Sequence, residues 1–255
     1  MPDSVAALIL AAGGGTRLRP LTLLRPKVLC PVAGVPLVDH ALERVACLVG
    51  AGPSIIAVNV HHHAEVLAAH VEGRAHVSRE TGDEALGTAG AVGALRPWLD
   101  GRSLLVVNGD TWSTASLGPL LDDWDGERVR VAVLGPPGTP LVPGAPIVGS
   151  IVPAADAARI PAEPLGLSNG LWWPALDAGR LDVVNVGGEA IPCDRPAGYL
   201  SANLAASGGA SVVGEGATVE GTLVRSVVWP GARVRRREVL VDAIRASDRM
   251  TVLVR

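Results

Sequence analysis

The sequence predicts an α/β fold. Three apolar runs have the length and composition of buried strands, and apolar residues at helical spacing follow the first of them. Polar or glycine-rich turns follow these runs directly. The carboxyl ends of strands in open α/β sheets are where ligands collect. The strands are predicted at 5–10, 55–60 and 104–107, the main helix at 38–49, a further helix at 117–124 and a short strand at 170–173.

The composition changes near residue 207. From 212 to 254 the chain consists of short β-prone pieces separated by glycines, and Val213 and Val219 are six residues apart in the sequence. This spacing is typical of the hexapeptide repeats of a left-handed parallel β-helix. We therefore predict two domains, an α/β domain over 1–208 and a short β-helical tail over 209–255.

Composition narrows the classes of function. The chain has 255 residues and a net charge of −3, which argues against nucleic-acid or membrane-surface binding, because such proteins carry clustered basic residues. The three cysteines are widely spaced and form no C-x-x-C, which indicates a reducing compartment and no zinc site. No apolar stretch reaches the ~20 residues of a membrane helix. The first apolar run lacks the basic flank of a signal peptide, so we expect a cytoplasmic protein.

Lysine is nearly absent from this sequence. Lysine and arginine together number 22, and Lys27 is the only lysine. Because every other basic position of this kind is an arginine, a retained lysine indicates that position 27 needs a compact ammonium on a flexible stem. The alternative interpretation is chance survival of one lysine.

The first strand runs directly into three glycines. Glycine has no Cβ, so backbone N–H groups at Gly13, Gly14 and Gly15 can approach a phosphate closely. Arg17 and Lys27 follow and can neutralise its charge. The segment does not fit the nucleotide motif G-x-x-x-x-G-K-[ST], and it lacks the last glycine of G-x-G-x-x-G. The sequence therefore predicts a phosphate-binding loop of another kind.

Three more turns carry candidate site residues. Thr88, in a second glycine-containing turn, is predicted to cap a helix that runs to about residue 95. Asp110 follows Asn108-Gly109 after the third strand, where it could bind Mg²⁺ or form a helix N-cap or Asx turn. Three histidines at 61–63 follow the second strand; adjacent side chains point in different directions, so we favour a loop near a ligand over a metal site.

Together these motifs resemble the signature of the sugar nucleotidyltransferases, or nucleotide-sugar pyrophosphorylases. The matching segments are LAAGGGTRLRPLT at 10–22, RPK at 25–27, PV at 31–32, LGTAG at 86–90 and NGD at 108–110. Residues 58–62 and 219–232 are most similar to the mannose-1-phosphate guanylyltransferase branch. The resemblance implies a Rossmann-like three-layer α/β/α domain followed by a short left-handed β-helix, with Mg²⁺ as cofactor.

The resemblance also implies a reaction. An NTP and a sugar 1-phosphate would give an NDP-sugar and pyrophosphate. The similarity to the mannose-1-phosphate guanylyltransferase branch implies that the substrates are GTP and mannose 1-phosphate. Arg17 would neutralise the leaving pyrophosphate, Lys27 would draw the two reacting phosphates together, and Asp110 would hold Mg²⁺. The sugar phosphate is already deprotonated, so positioning and charge neutralisation suffice. The implied nucleotide-binding residues are Leu10, Ala11, Ala12, Gly13, Gly14, Gly15, Thr16, Arg17, Gly87, Thr88, Asn108 and Gly109.

The acceptor half departs from the family pattern. A second metal aspartate is expected before the helix that contains Tyr199, but Pro192 occupies its place and Asp194 comes two residues later. We take Asp194 as the candidate second metal ligand. Because Lys27 is the only lysine, the lysine of the family's Glu-Lys-Pro segment is absent. The residues that correspond to the sugar-phosphate site are Glu163, Asn169 and Gly170.

Two functions stay open at this point. The chain is either an active nucleotidyltransferase with an altered acceptor site, or a weakly catalytic homologue that binds nucleotide or nucleotide-sugar and regulates a partner enzyme. We expect no nucleic-acid or membrane partner. A truncated β-helix exposes an end that can pair with another subunit, so a homo-oligomer formed through the tail is also expected.

Overall fold

A computed structural model describes residues 5–254 of the chain. They form two compact units that alternate along the sequence. One contains residues 5–13, 41–109 and 113–190, and the other contains residues 14–40, 110–112 and 191–254. Each unit has its own buried core. Within the described part of the chain, no helix is long and apolar enough to cross a membrane.

The first unit is built on a seven-stranded sheet. Its strands are β1 (Val5–Leu10), β2 (Ile56–Val60), β3 (His76–Arg79), β4 (Ser103–Asn108), β5 (Val129–Leu134), β6 (Ile147–Val152) and β7 (Leu181–Val186). Their order is β7-β5-β6-β4-β1-β2-β3. Neighbouring strands run parallel except at β6, which is antiparallel to both β4 and β5. The predicted α/β class with a Rossmann-like parallel centre is confirmed.

Apolar side chains cover both faces of the central strands. Residues 6–9 of β1 are fully buried, as a continuous apolar run between two parallel neighbours requires. The helices of the chain are α1 (Leu37–Val49), α2 (Ala64–His70), α3 (Gly87–Ala94), α4 (Arg96–Leu99), α5 (Ala154–Ala157), α6 (Trp173–Asp177) and α7 (Pro196–Ala206). The first unit's core packs residues of β1, β4 and β5 against α3 and against the segment 157–175.

Two predicted elements are wrong. The helix predicted at 117–124 is only a 3₁₀ turn, Gly118–Leu120, because Asp123 has a φ of 51°, which a right-handed helix excludes. The strand predicted at 170–173 is a π-helix, Ser168–Trp172, that leads into α6. The buried residues Leu167, Leu171 and Ala175 are spaced four apart, and this helical period outweighs the local strand preference.

The second unit packs a hairpin and a helix around aromatic side chains. The strands Pro31–Val32 and Val35–Pro36 are antiparallel, and their two-residue turn has positive φ at both Ala33 and Gly34. This is the turn geometry whose twist matches paired strands. Asn203 of α7 accepts a hydrogen bond from the Ala33 N–H at 3.0 Å.

Short strands continue the second unit to residue 253. Four pairs run parallel: Val212–Val213 with Val227–Val228, Thr218–Val219 with Arg233–Val234, Thr222–Val224 with Val239–Val241, and Val227–Val228 with Ala243–Ser247. Arg225 and Asp242 follow the third pair, and both have positive φ. Their side chains form an ion pair of 2.6 Å between equivalent corners. The last strand, Met250–Leu253, is antiparallel to Ala243–Ser247 and ends the parallel stack.

Candidate active site

The first unit brings two predicted motifs together at the carboxyl ends of adjacent parallel strands. Leu10 at the end of β1 pairs with Asn108 at the end of β4. The Gly109 N–H donates to the Leu10 carbonyl oxygen at 2.9 Å. A Cβ at position 109 would also lie 2.9 Å from that oxygen, so only glycine permits the approach.

A buried chain of hydrogen bonds supports this edge of the sheet. Asn59 in β2 accepts from the Ala11 N–H and donates to Glu80 Oε1, both at 2.7 Å. The other oxygen of Glu80 accepts from the Leu86 N–H at 2.7 Å. Asn59 and Glu80 are 3 % and 8 % exposed. Neither residue was assigned a role from the sequence, although a polar residue inside an apolar strand was a usable signal, since buried polar groups need partners.

The helix after the second glycine turn begins differently from the prediction. α3 starts at Gly87, and Thr88 does not cap it. The Thr88 hydroxyl oxygen instead accepts from the Leu167 N–H at 2.7 Å. The Leu165 carbonyl accepts from the Ala89 N–H at 2.9 Å, so a backbone group replaces the predicted side-chain cap.

The predicted sugar-phosphate residues lie beside α3. A Cβ at Gly90 would be 2.2 Å from the Glu163 carbonyl oxygen, so the Glu163 backbone packs directly on this helix. Asn169 and Gly170 lie in the π-helix Ser168–Trp172. π-helical turns are rare and occur frequently at functional sites. A Cβ at Gly170 would be 2.6 Å from a Leu165 methyl carbon, so a larger residue there would have to displace the Leu165 side chain.

A small pocket of about 40 Å³ opens at the same strand ends. The ends of β1 and β4 contribute to it, together with β6, α3 and the π-helix. Its lining consists of Leu10, Thr88, Val106, Asn108, Ile147, Gly149, Ser150, Leu167 and Trp172. The pocket therefore joins residues from three of the predicted motifs.

The second unit pairs the single lysine with the predicted metal aspartate. Lys27 Nζ forms a close ion pair with Asp110 Oδ2, and the two side chains are 10 % and 28 % exposed. A strand, Thr111–Ser113, follows Asp110, so the N-cap alternative for Asp110 is wrong. The Asp110 carbonyl accepts from the Cys193 N–H at 2.9 Å, which fixes the segment carrying Asp194 beside it.

The glycine loop contributes a second ion pair. Arg17 Nη2 lies 3.0 Å from Asp194 Oδ2. Gly15 has a φ of 63°, and a Cβ there would be 2.8 Å from Thr22 Cγ2 and 3.2 Å from Lys27 Cβ. The Thr22 hydroxyl donates to the Gly15 carbonyl at 2.9 Å. The loop thus packs against the base of the lysine side chain, whereas a Cβ at Gly14 would meet no atom within 4 Å.

Two buried cysteines and the three adjacent histidines have environments that do not indicate a nucleophile or a metal site. Burial raises the pKa of Cys30 and of Cys193 to about 12, so both are neutral thiols near pH 7. His61 Nε2 lies 2.8 Å from the Gly82 carbonyl, and the rings of His62 and His63 meet edge to face. Among residues 5–254, no three His, Cys, Asp or Glu side chains are grouped so that they could hold a metal ion.

The family profile described as Nucleotidyl transferase matches residues 6–136, which include the glycine loop, Lys27, Thr88 and Asp110. The chain belongs to the nucleotidyl transferase family. The predicted resemblance is therefore confirmed at the level of the family.

Named relatives of this nucleotidyl transferase have different substrates in their names. The N-acetylmuramate alpha-1-phosphate uridylyltransferase of Caulobacter vibrioides is 37 % identical over 139 residues, 50 % of this chain and 56 % of that protein. The mannose-1-phosphate guanylyltransferase of Mycobacterium tuberculosis is 35 % identical over 133 residues, 51 % of this chain and 36 % of that protein. The matches thus span about half the length of these relatives, or less.

Solved structures share the fold of this nucleotidyl transferase. A structure from Thermus thermophilus, named as a mannose-1-phosphate geranyltransferase, aligns with a TM-score of 0.70 at 19 % identity, over 98 % of this chain and 95 % of that one. A putative glucose-1-phosphate thymidylyltransferase from Bacillus anthracis, in complex with a sucrose, aligns with a TM-score of 0.64 at 18 % identity, over 79 % and 95 %. At these identities the likeness supports the fold alone.

Proposed function

We propose that this protein transfers a nucleotidyl group from an NTP to a sugar 1-phosphate, forming an NDP-sugar and pyrophosphate. The observation that carries the proposal is the ion pair of Lys27 with Asp110, which holds the only lysine of the chain on the carboxylate of the third family motif. Family membership supports the same reaction class.

The chemistry needs charge neutralisation and positioning. Both reactants are phosphate anions that repel each other, and the sugar phosphate oxygen is already a deprotonated nucleophile. Lys27 would bring the α-phosphate and the attacking phosphate together, Arg17 would neutralise the departing pyrophosphate, and N–H groups of Gly13 to Gly15 would bind the triphosphate. No residue has to act as a general base.

The donor set fits Mg²⁺, and Asp110 and Asp194 would hold it. Both carboxylates are hard oxygen donors that are partly exposed, and each ion pair engages only Oδ2. One or two carboxylates with substrate phosphates are the usual protein ligands of this ion. When bound, Mg²⁺ would neutralise negative charge on the nucleotide phosphates.

The choice of base and sugar belongs to the proposal as well. Residues 58–62 and 219–232 resemble the guanylyltransferase branch, which favours GTP and mannose 1-phosphate. The relatives at 37 % and 35 % identity are named for uridylyl and guanylyl transfer, respectively, so UTP is the competing nucleotide.

A second candidate function is regulation of a partner enzyme by a weakly catalytic homologue. The ion pair of Asp194 with Arg17 favours it, because the guanidinium already neutralises the carboxylate that would have to bind metal. The absence of a second lysine favours it too, since the acceptor phosphate then lacks one cation.

We further propose the finer architecture that the sequence predicted. Residues 1–208 would act as the nucleotidyltransferase domain, and 209–255 as a left-handed β-helix, a form that the four parallel strand pairs support. Its end would pair with another subunit in a homo-oligomer. The protein would work in the cytoplasm on small substrates, without nucleic acid or membrane.

A thermal-shift panel followed by a pyrophosphate-release assay tests the function. Protein is melted with GTP, UTP, GDP-mannose and UDP-N-acetylglucosamine, with and without Mg²⁺, because a ligand that binds only the native state raises Tm. The best NTP is then assayed with mannose 1-phosphate and other sugar 1-phosphates. Sugar-dependent pyrophosphate release supports the transferase, and nucleotide stabilisation without release supports the regulatory alternative.

A further inference from the structure

Two polar atoms in the pocket of the first unit lack partners. Ser150 Oγ and Trp172 Nε1 are both buried, and neither has a hydrogen-bond partner among the described residues. Ser150 as a whole is 1 % exposed. Both residues line the same pocket.

Such an arrangement is costly for a protein that uses it only for folding. A buried donor without a partner is destabilising, and replacing it by an apolar group of the same shape is neutral or stabilising. Most buried polar groups elsewhere in the described chain are paired. For example, Ser226 Oγ donates to a backbone carbonyl and accepts from the Ala243 N–H, and Trp124 Nε1 donates to the Arg128 carbonyl.

The remaining polar lining also offers a donor. Thr88 Oγ1 accepts from the Leu167 N–H, and a hydroxyl that accepts one hydrogen bond can still donate another. An indole N–H can only donate. The Trp172 indole therefore calls for an acceptor atom on whatever enters the pocket, and the Asn108 amide, which also lines it, can donate or accept.

The charge of the entering group follows from the lining. None of the nine lining residues is charged. A carboxylate, phosphate or ammonium group would lose its hydration there without meeting an opposite charge, which is strongly unfavourable. A neutral hydroxyl or carbonyl oxygen surrounded by carbon fits both the donors and the apolar walls.

We propose that Ser150 and Trp172 are specificity residues that donate hydrogen bonds to an uncharged hydroxyl or carbonyl oxygen of the sugar. The inference rests on the proposed function, because the transferred sugar supplies the oxygen. It also assigns the phosphates to other residues, since this pocket has no cation.

The test uses matched pairs of substitutions in the whole protein. Ser150→Ala and Trp172→Phe remove donors that have no protein partner, whereas Ser226→Ala and Trp124→Phe remove the same groups where they are paired. We expect the first two to keep or raise the Tm of the free protein and the second two to lower it. A loss of Tm for Ser150→Ala and Trp172→Phe as large as in the controls contradicts the inference.

Binding supplies the second readout. Titration calorimetry measures GDP-mannose against GDP, and UDP-N-acetylglucosamine against UDP, so that the ratio within each pair isolates the sugar. The relevant pair is the one in which wild-type protein binds the nucleotide-sugar more tightly than the nucleoside diphosphate, a difference that we call the sugar advantage. For that pair, each variant should reduce the ratio of the two affinities about 5-fold, which corresponds to the loss of one hydrogen bond. The affinity for the nucleoside diphosphate should not change. A nucleotide-sugar whose sugar lacks the bound oxygen should bind wild-type protein about 5-fold more weakly than the parent compound. It should bind Ser150→Ala as tightly as the parent compound does.

The outcomes separate the inference from the function. A sugar advantage that both variants retain overturns the inference and leaves the transferase proposal standing. Nucleotide binding with no sugar advantage in wild type also overturns the inference. Wild-type protein that binds none of the four compounds overturns the proposed function together with the inference.

Discussion

At the scale of single residues, the ammonium of Lys27 is held in place before any substrate binds. Its side chain is 10 % exposed, and its partner Asp110 is fixed through a backbone hydrogen bond from Cys193. Ordering a long side chain in advance removes an entropic cost from substrate binding, which is how positioning contributes to rate. Gly15 adds to this order, because its missing Cβ leaves room for the lysine stem.

Lys27→Arg tests whether a compact ammonium is required. A guanidinium keeps the charge but is planar and wider, so it should not fit between two phosphates. We expect the rate of pyrophosphate release to fall by at least 100-fold. Nucleotide binding, measured by thermal shift, should change little. Arg236→Lys, an exchange at an exposed position, serves as the control and should leave the rate unchanged. A near-wild-type rate for Lys27→Arg contradicts the requirement.

Asp194→Ala distinguishes the nucleotide half from the acceptor half. The substitution removes a candidate metal ligand and releases Arg17 from its ion pair. The freed cation favours anions, so nucleotide binding should be kept, whereas Mg²⁺-dependent turnover should fall by more than 10-fold. Calorimetry with the best NTP and the pyrophosphate assay measure the two effects separately. If nucleotide binding and turnover fall by the same factor, Asp194 does not distinguish the nucleotide half of the site from the acceptor half.

At the scale of elements, α3 shows how glycine can allow another segment to pack closely. Cβ atoms at Gly87, Gly90 and Gly93 would each lie 2.7 Å or less from backbone atoms of the segment 161–165. The helix therefore accepts a second stretch of main chain directly on its surface. This contact carries Thr88 and Leu167 to the pocket that they share.

Gly90→Ala should reverse the usual effect of alanine in a helix. Alanine normally stabilises a helix interior by roughly 0.5–1 kcal/mol relative to glycine. Here its Cβ would lie 2.2 Å from the Glu163 carbonyl oxygen, and overpacking of this kind costs about 1–3 kcal/mol. Urea unfolding should show a lower midpoint. Gly187→Ala, where a Cβ meets nothing within 4 Å, is the matched control, and equal midpoints for the two variants would refute the packing argument.

At the scale of the whole chain, an aromatic network joins distant parts of the second unit. The hydroxyl of Tyr199, the only tyrosine, donates to the Pro31 carbonyl and accepts from Trp229 Nε1. Arg25 lies over the Trp229 ring, 4.4 Å from its centroid. The hairpin strand that contains Pro31, α7 and the tail segment that contains Trp229 are thus connected through one buried hydroxyl.

Tyr199→Phe should destabilise the protein by about 1–3 kcal/mol, because it leaves a buried carbonyl and a buried indole N–H without partners. Trp229→Phe removes the indole donor. The double variant Tyr199→Phe/Trp229→Phe should lose less free energy of unfolding than the sum of the losses in the two single variants. Chemical unfolding of the three variants measures this coupling. Strict additivity would show that the hydrogen bond between the two side chains contributes nothing.

Stability should fall steeply at alkaline pH. Burial raises the pKa of Cys30 and Cys193 to about 12 and that of Tyr199 well above its usual range. The unfolded chain loses these protons at lower pH than the native protein, so the native state binds more protons and stability decreases as pH rises. The loss begins near pH ~8.5, the ordinary pKa of a thiol, at up to ~1.4 kcal/mol per pH unit per group.

Unfolding free energies measured between about pH 7.5 and 10.5, a range that spans the ordinary pKa of a thiol, check this dependence. The double variant Cys30→Ala/Cys193→Ala removes two of the three groups and should flatten the decline below pH ~10, the ordinary pKa of tyrosine, whatever its stability at neutral pH. The exposed Cys47→Ala should not alter the slope. A slope in the double variant equal to that of wild type would contradict this assignment.

Sequence patterns predicted the sheet centre because each strand there is an uninterrupted apolar run, and β1, β2 and β4 lie within one residue of their predicted bounds. The local signal failed for the π-helix and the 3₁₀ turn, where packing and one positive φ decided the structure. Among the proposed site residues, motif spacing singled out Lys27 and Asp110 but could not reveal their ion pair. Asn59, Ser150 and Trp172 gain their importance from partners, or from missing partners, that only the folded chain defines.

The single lysine also makes this protein chemically simple. An acylating reagent finds only one ε-amine along the chain, so peptide mapping by mass can assign ε-acylation to Lys27 alone and separate it from acylation of the α-amine. The ion pair with Asp110 should slow this labelling, and a bound nucleotide triphosphate should slow it further. Under the proposed function, residual turnover plotted against the labelled fraction of Lys27 would extrapolate to one group per chain, which tests the role of this lysine without any substitution.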